Sequence, residues 1–479
     1  MNTISTLWQL DTLVRASDHL TNSTNEPLQL QNFIENQFLD CAHTPEWIDS
    51  PSPRSGKLLL KVPLSPPNVV DYAINVASRA FPAWSQTTPH ERSDLLLRVA
   101  SILEEKKDMF TVWESIDQGK TLFRARSEVD RSIEHFRYFA KYILHDESVV
   151  HLNKGTGDST LTHEHRVPVG VYAIVTSSNM PLFLLTSKIA PCLAFGCTGV
   201  AKPSELTSMT AFLFGEVLRQ AELPPGVMNI VFGNGTDTGS TLIGSPLVKG
   251  VSFCGAIETG IQIRKDTAAD IHKHMSLEIR GSSPILVFGD VDVDEAVSAA
   301  AYAAFENSGQ LCLGGSRIFV HKSIYRMFLL KFTRYVHSNY GLDKELGPIV
   351  FGEHYSKIRS HLVQAGEEHA SVRTDSPVVQ EEIFGPVATV LPFDTEEKAV
   401  KLCNNNSNGM GAVILTDDLA RMSRVGEHLD AALVWGGCWL GRELGAGFSD
   451  IRATGTGQEG GTRSREIFTG LRAVHVPSY

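Results

Sequence analysis

Cys312 ends the run Asn307-Ser308-Gly309-Gln310-Leu311-Cys312, a small, polar, loop-like stretch just past an Ala-rich helical pattern. A cysteine so placed can act as a thiolate nucleophile toward a carbonyl carbon, although an isolated cysteine is more often an inert core residue. The chain has seven cysteines, and none forms a Cys-x-x-Cys or other tight pair. The spacing therefore indicates no zinc site and no disulfide framework, and no metal is expected. Two glycine clusters, Gly233-Asn234-Gly235 and Gly255…Gly260, each follow a strand-like run and precede a helical one. Backbone N–H groups at a helix start attract a pyrophosphate, and glycine lets it approach. A plain tight turn explains the first cluster better and the second equally well.

The elements that must hold these groups alternate along the chain. Amphipathic helices are predicted over Asn68–Trp84, Pro89–Gln118 and Arg124–His145, with Asn68 and Thr88 as N-caps and Gly119 as a stop. From Arg166 onward, β-branched runs such as VPVGVYAIV, TGVAKP, MNIVFG and KGVSFCG alternate with helical stretches. A second series runs through PILVFG, SRIFVHK, PVATVLPF, GAVILT and ALVWGG. Intervals of this length give parallel βαβ units, so the fold class is α/β, with two doubly wound domains and a cleft between them. Residues 1–29 read as a polar extension with one weak helix through Leu7, Leu10 and Val14, and Ser52–Pro67 as irregular or edge structure.

Composition narrows the function classes. In 479 residues, 43 Lys+Arg stand against 54 Asp+Glu for a net charge of −11, which is unsuited to nonspecific nucleic-acid binding. No stretch approaches the ~18 unbroken apolar residues of a membrane span, since the most apolar region, Lys188 to Ala201, is interrupted by Pro191, Gly196 and Gly199. The first residues show no targeting pattern, so a soluble cytoplasmic protein is expected, with neither nucleic acid nor membrane as partner.

In order along the chain, VPVGVYAIVTSSNMPL, AKPSELTSMTA, ELPPGVMNIVFGNG, VSFCGAIETG, SLEIRG, FENSGQLC and EEIFGP resemble the aldehyde dehydrogenase superfamily, from Leu30 to Val476. DQGKTL, PLFLLTSKIAP and VWGGCWLGREL are most similar to its 2-aminomuconic semialdehyde branch. The resemblance implies NAD-dependent oxidation of an aldehyde, with Cys312 as nucleophile, Asn179 as oxyanion donor and Glu278 as the base that activates water. Taken locally, Asn179 would be a helix cap and Glu278 a solvated strand-end residue. For the cofactor the resemblance implies Lys202 and Glu205 at the adenosine ribose, Gly235, Gly255 and Gly260 in the turns, and Glu382 and Phe384 at the nicotinamide ribose. An acidic Glu205 favours NAD over NADP. Arg131 and Arg442 match two arginines of the branch; if both face the pocket, the substrate is a semialdehyde bearing a carboxylate.

The resemblance further implies an NAD-binding domain from residues 30–153 and 169–278 and a catalytic domain at 279–460. Segments 154–168 and 461–479 would form a small β flap for homodimer or homotetramer assembly. Several positions depart from the family pattern. Ser177-Ser178 replaces Pro-Trp, Ala256 replaces a hydroxyl residue, and Arg280-Gly281-Ser282 stands for Gly-Gly-Lys. Gly437 replaces an Asn, and Gly447-Phe448-Ser449-Asp450 stands for Pro-Phe-Gly-Gly. The interval from Cys312 to Glu382 is a couple of dozen residues short, with a strand missing between Glu368 and Pro377. A catalytically weak or silent relative acting as a binding or structural subunit is the alternative these departures raise.

Overall fold

The computed structural model describes residues 27–477 apart from 41–45, 146–148, 155–158, 280, 342–343, 368–372 and 442. A seven-stranded sheet runs, edge to edge, through His274–Ile279, Val248–Gly255, Val171–Val175, Thr198–Lys202, Met228–Ile230, Asn32–Ile34 and Gln37–Leu39. The first five strands are mutually parallel and the last two antiparallel. The chain proceeds from Val171–Val175 outward in both directions, first to Thr198–Lys202 and later to Val248–Gly255. The strand order therefore reverses beside Val171–Val175, and a ligand crevice belongs at the carboxyl ends there. Both faces are covered, with Trp113, Phe136, Phe212, Phe214 and Phe232 fully buried on one side. Removing each such side chain from water stabilises the fold by about 1.5–3 kcal/mol.

A second, all-parallel sheet has the order Thr389–Phe393, Arg317–His321, Pro284–Val287, Gly411–Leu415, Leu433–Gly436. The Ala-rich helix Val293–Phe305, capped by Asp292, packs on it and delivers the chain to Cys312. A three-stranded antiparallel flap joins Val149–Lys154, Ser159–Pro168 and Thr469–Pro477, in register from Thr469 opposite Pro168 to Pro477 opposite Thr160. This is the α/β architecture of two doubly wound regions and a β flap that the sequence predicts. No described helix is long and apolar enough to cross a membrane.

Several elements differ in detail. The helix predicted over Pro89–Gln118 is two, Pro89–Glu105 and Lys107–Gln118, broken at Lys106. The break turns Met109, Phe110 and Trp113 into the core while the apolar periodicity runs on unbroken. Thr88 caps the first of them in a capping box and Gly119 ends the second at φ 90°, as expected. Asn68 is not a cap, because the helix begins at Pro67 behind Pro66. Ser52–Pro67 is more regular than predicted, since Leu58–Pro63 is the central strand between Leu28–Gln29 and Trp47–Pro51. The helix through Leu7, Leu10 and Val14 lies outside the described residues.

Candidate active site

Cys312 is held by an unusual turn. Asn307, Ser308 and Gly309 have φ of 52°, 58° and 72°, three successive left-handed residues. Gly309 is obligatory there, because a Cβ would lie 2.1 Å from the Gly385 carbonyl oxygen. Gly281 is equally tight, with a Cβ position 2.5 Å from the Cys312 carbonyl oxygen. The turn is tied down by Ser308 Oγ donating to Gly347 O at 2.8 Å and by Asn307 Nδ2 donating to Asn179 O at 3.0 Å.

Asn179 follows the strand Val171–Val175 and is buried. It does not cap the next helix, Pro181–Ala194, whose N-cap is Met180 with no side-chain cap. Its side-chain amide instead donates to Gln310 O at 3.0 Å, and its carbonyl accepts from Lys120 Nζ at 3.0 Å. Lys120 is itself buried between Glu114 and Glu128.

Glu278, near the end of the strand His274–Ile279, is buried rather than solvated. Lys188 Nζ pairs with both Glu278 and Glu459. Lys188 stands in Pro181–Ala194, a helix in which every residue is buried. Burial and the neighbouring Glu459 push the Glu278 carboxyl up to about 8, against the pull of Lys188. Burial disfavours the Lys188 ammonium, yet Glu278, Glu459 and Cys254 together hold it above its ordinary value. Burial first, then Glu382, Glu278 and Asp450, raise the Cys312 thiol, so it is held protonated.

Two cavities meet at these groups. The first is lined by Ser177, Ser178, Asn179, Gly255, Ala256, His354 and Phe384, together with Glu278 and Cys312. The second is lined by Arg124, Arg131, Phe183, Leu311, Met410, Trp435 and Phe448, again with Glu278 and Cys312. Cys254, opposite Glu278 in the sheet register, lines both. The first cavity opens at the carboxyl ends of Val171–Val175 and Val248–Gly255, where the strand order reverses. The helix Ile257–Asp266 starts there behind Ala256 with no side-chain cap, so its first-turn N–H groups suit a phosphate. Gly260 allows that helix to approach the sheet, since a Cβ would lie 2.7 Å from Ile279.

Lys202 ends the strand Thr198–Lys202 and pairs with Glu205 at 3.2 Å. Burial lowers the Lys202 ammonium, and Glu205 opposes the shift. Gly235 begins a turn in which Asn234 Oδ1 accepts from Asp237 N at 2.8 Å, and nothing lies within 4 Å of a Cβ there. That turn is self-capped, as a plain tight turn would be. Phe384 has φ 54° and its carbonyl accepts from His354 Nε2 at 2.7 Å. Glu382 is half-buried and close enough for its charge to raise the Cys312 thiol, without lining either cavity. Arg131 lies with its guanidinium 4.4 Å from the Phe183 ring centre. Arg124, which sequence reasoning passed over, is neutralised by Glu128 and Glu306. Arg442 and Arg280 lie outside the described residues, as does most of the shortened segment after Glu367. Beyond that segment the chain is tied down by Gln380 Nε2 donating to Asn405 O at 2.9 Å and by Asn406 Nδ2 donating to Gln380 O at 2.9 Å.

The chain belongs to the aldehyde dehydrogenase family, which matches residues 40–376 and 369–474. The two matched pieces overlap at residues 369–376, within the segment where the family pattern implies a missing strand. Among curated relatives, the chain is 38% identical to the 2-aminomuconic semialdehyde dehydrogenase of Homo sapiens over 95% of this chain and 99% of that protein. It is 33% identical to the peroxisomal aminoaldehyde dehydrogenase 1 of Pisum sativum over 88% and 91% of the respective lengths. Its fold superposes on the crystal structure of an NAD-dependent aldehyde dehydrogenase from Sinorhizobium meliloti with a TM-score of 0.90 at 27% identity, covering 95% of this chain and 97% of that one.

Proposed function

We propose that the protein oxidises an aldehyde to a carboxylic acid with NAD, through a covalent thioester on Cys312. The observation that carries this reading is that the Cys312 thiol, held by the left-handed turn Asn307–Gly309, and the buried Glu278 carboxyl line both cavities. The Cys312 proton leaves to solvent as the sulfur adds to the aldehyde carbon held in the second cavity. Negative charge then develops on the aldehyde oxygen. One N–H of the Asn179 amide is held by Gln310 O, and the other serves that oxygen together with the Cys312 backbone N–H. A nicotinamide dinucleotide, if bound in the first cavity, would take up the hydride that the adduct carbon loses as the thioester forms. Glu278 then takes a proton from the water that attacks the thioester, and Cys312 leaves as thiolate and recovers that proton. Glu205 at the far end of the crevice would accept a ribose hydroxyl and repel a phosphate, which favours NAD. Lys202, Gly255, Gly260, Glu382 and Phe384 complete the cofactor site in this reading; Gly235 contributes only a turn.

The substrate side joins apolar walls to Arg131, which supports an aldehyde carrying a carboxylate, with Arg442 as a second grip. The exposed apolar residues of the flap, Val149, Val150, Leu152, Leu471 and Val474, support a homodimer or homotetramer. The described cysteines are all free, which fits a reducing compartment such as the cytoplasm.

The test is NADH formation with a panel of aldehydes. Cys312→Ser is expected to abolish it. Arg131→Ala is expected to raise KM roughly 10-fold or more for acidic semialdehydes and to leave neutral aldehydes nearly unchanged. Equal loss for both classes would overturn the carboxylate grip, and NADH formation surviving in Cys312→Ser would overturn the nucleophile.

A further inference from the structure

Asp450 stands beside Glu278 as a carboxyl group that the proposed oxidation does not use. It lies in the hairpin that pairs Phe448–Ser449 with Gln458–Glu459 and closes over the end of the strand His274–Ile279. The hairpin is fastened by an isolated bridge between Glu278 and Gly455, by Thr456 N to Leu277 O at 2.9 Å, and by Asp450 N to Gly457 O at 2.8 Å. It faces Asp450 inward, at 7% exposure. A Cβ on Gly457 would lie 2.3 Å from Cγ of Glu278 and 2.4 Å from Oδ2 of Asp450, so the two side chains approach across a bare Cα. Both Asp450 oxygens are buried and accept no hydrogen bond from a described residue.

The charged and titratable groups around the pair are Lys188 from the helix Pro181–Ala194, Glu459 from the hairpin, Cys312 from the turn and Cys254 from the adjacent strand. Lys188 is the one cation among these described groups, and it is engaged by Glu278 and Glu459. Two buried carboxyls and the partly buried Glu459 around one ammonium cannot all be ionised near neutrality. Lys188 offsets one negative charge, so protons must remain on the others.

We propose that Asp450 and Glu278 form a carboxyl pair whose charges oppose each other, so that the base of this site titrates as a pair rather than as a single group. Asp450 is then a positioning residue that sets when Glu278 is ionised. Burial, with Glu278 as the largest charge, pushes Asp450 up to about 9, in keeping with that arrangement. Each deprotonation of one partner opposes the next, so ionisation spreads over two steps. Between the steps some molecules carry the charge on Asp450 and lack a working base. No bond other than O–H is made or broken, and the protons leave to solvent.

The inference rests on Glu278 being the base. The experiment is the pH profile of kcat with saturating NAD and aldehyde. The unaltered protein is expected to rise over two ionisations. Asp450→Asn is expected to rise over one and to reach the same plateau on the order of one pH unit lower. Asp450→Ala, which also removes the charge without adding bulk, is expected to match it. Superimposable profiles of variant and unaltered protein would overturn the proposal. The infrared band of protonated carboxylic acid, recorded near neutrality without substrate, gives a readout independent of turnover. The variant minus unaltered difference is expected to show the loss of one such group, and no difference would again overturn the pair. Full turnover by Glu278→Gln with that band change intact would instead overturn the assignment of the base.

Discussion

At the scale of single residues, the site depends on groups whose chemistry is set by what surrounds them. Asn179 has its backbone carbonyl gripped by Lys120 and Asn307 and one amide hydrogen by Gln310, so the remaining donor is fixed before a substrate arrives. Stabilisation of developing charge by such a fixed donor is lost when the donor is removed. Asn179→Ala is expected to lower kcat by roughly 10²–10³, with the first burst of NADH slowed in step, as rapid-mixing absorbance would show. A variant whose burst keeps its rate would place the oxyanion elsewhere. Cys312, Asn179 and Glu278 were legible as motif residues, although local sequence alone favours a core thiol and a cap for the first two and fits a surface carboxylate equally well for the third. Lys188 and Asp450 were not read as functional. Lys188 meets Glu278 from 90 positions away, a contact no local pattern encodes. The available signal was a single charged residue, Lys188, in a helix with no other charge, because a buried ammonium requires a carboxylate partner.

Among elements, the turn Asn307–Gly309 sets the direction of Cys312, the proposed nucleophile. Three left-handed residues in succession persist only where packing overdetermines them, here the Gly385 carbonyl against Gly309 and the Gly347 carbonyl on Ser308. Gly309→Ala is expected to destabilise the protein by about 1–3 kcal/mol and to lose activity beyond what the fall in folded fraction explains, measured by denaturant unfolding alongside kcat. Unchanged activity in the folded variant would show that the turn does not aim the thiol. The alternation of strands and helices was legible because parallel βαβ units repeat a β-branched run and an amphipathic one. The break at Lys106 was not, since both helices continue the same apolar stripe and only tertiary contacts of Phe110 and Trp113 turn the chain. The strand Leu58–Pro63 was hidden by the prolines and serines on either side of it, and its pairing with Leu28–Gln29 joins segments too far apart for a local reading.

Across the whole molecule, the cavity at the carboxyl ends of the first sheet and the cavity lined by Met410 and Trp435 of the second region share Cys312 and Glu278. The sequence shows both sheets and the reversal that makes a crevice in the first. It does not show that the late hairpin Phe448–Glu459 crosses back to seal the base, because that contact depends on how the regions dock. The proposed oxidation places one covalent event per catalytic cycle, on Cys312. Replacing Glu278 by Gln keeps the shape and removes the base, so the acylated protein should accumulate. The most direct measurement is the intact mass and peptide map of Glu278→Gln after mixing with NAD and an aldehyde. The expected result is one acyl group per chain, located on Cys312, with a single stoichiometric release of NADH. Continued NADH release over an unmodified Cys312 would contradict it.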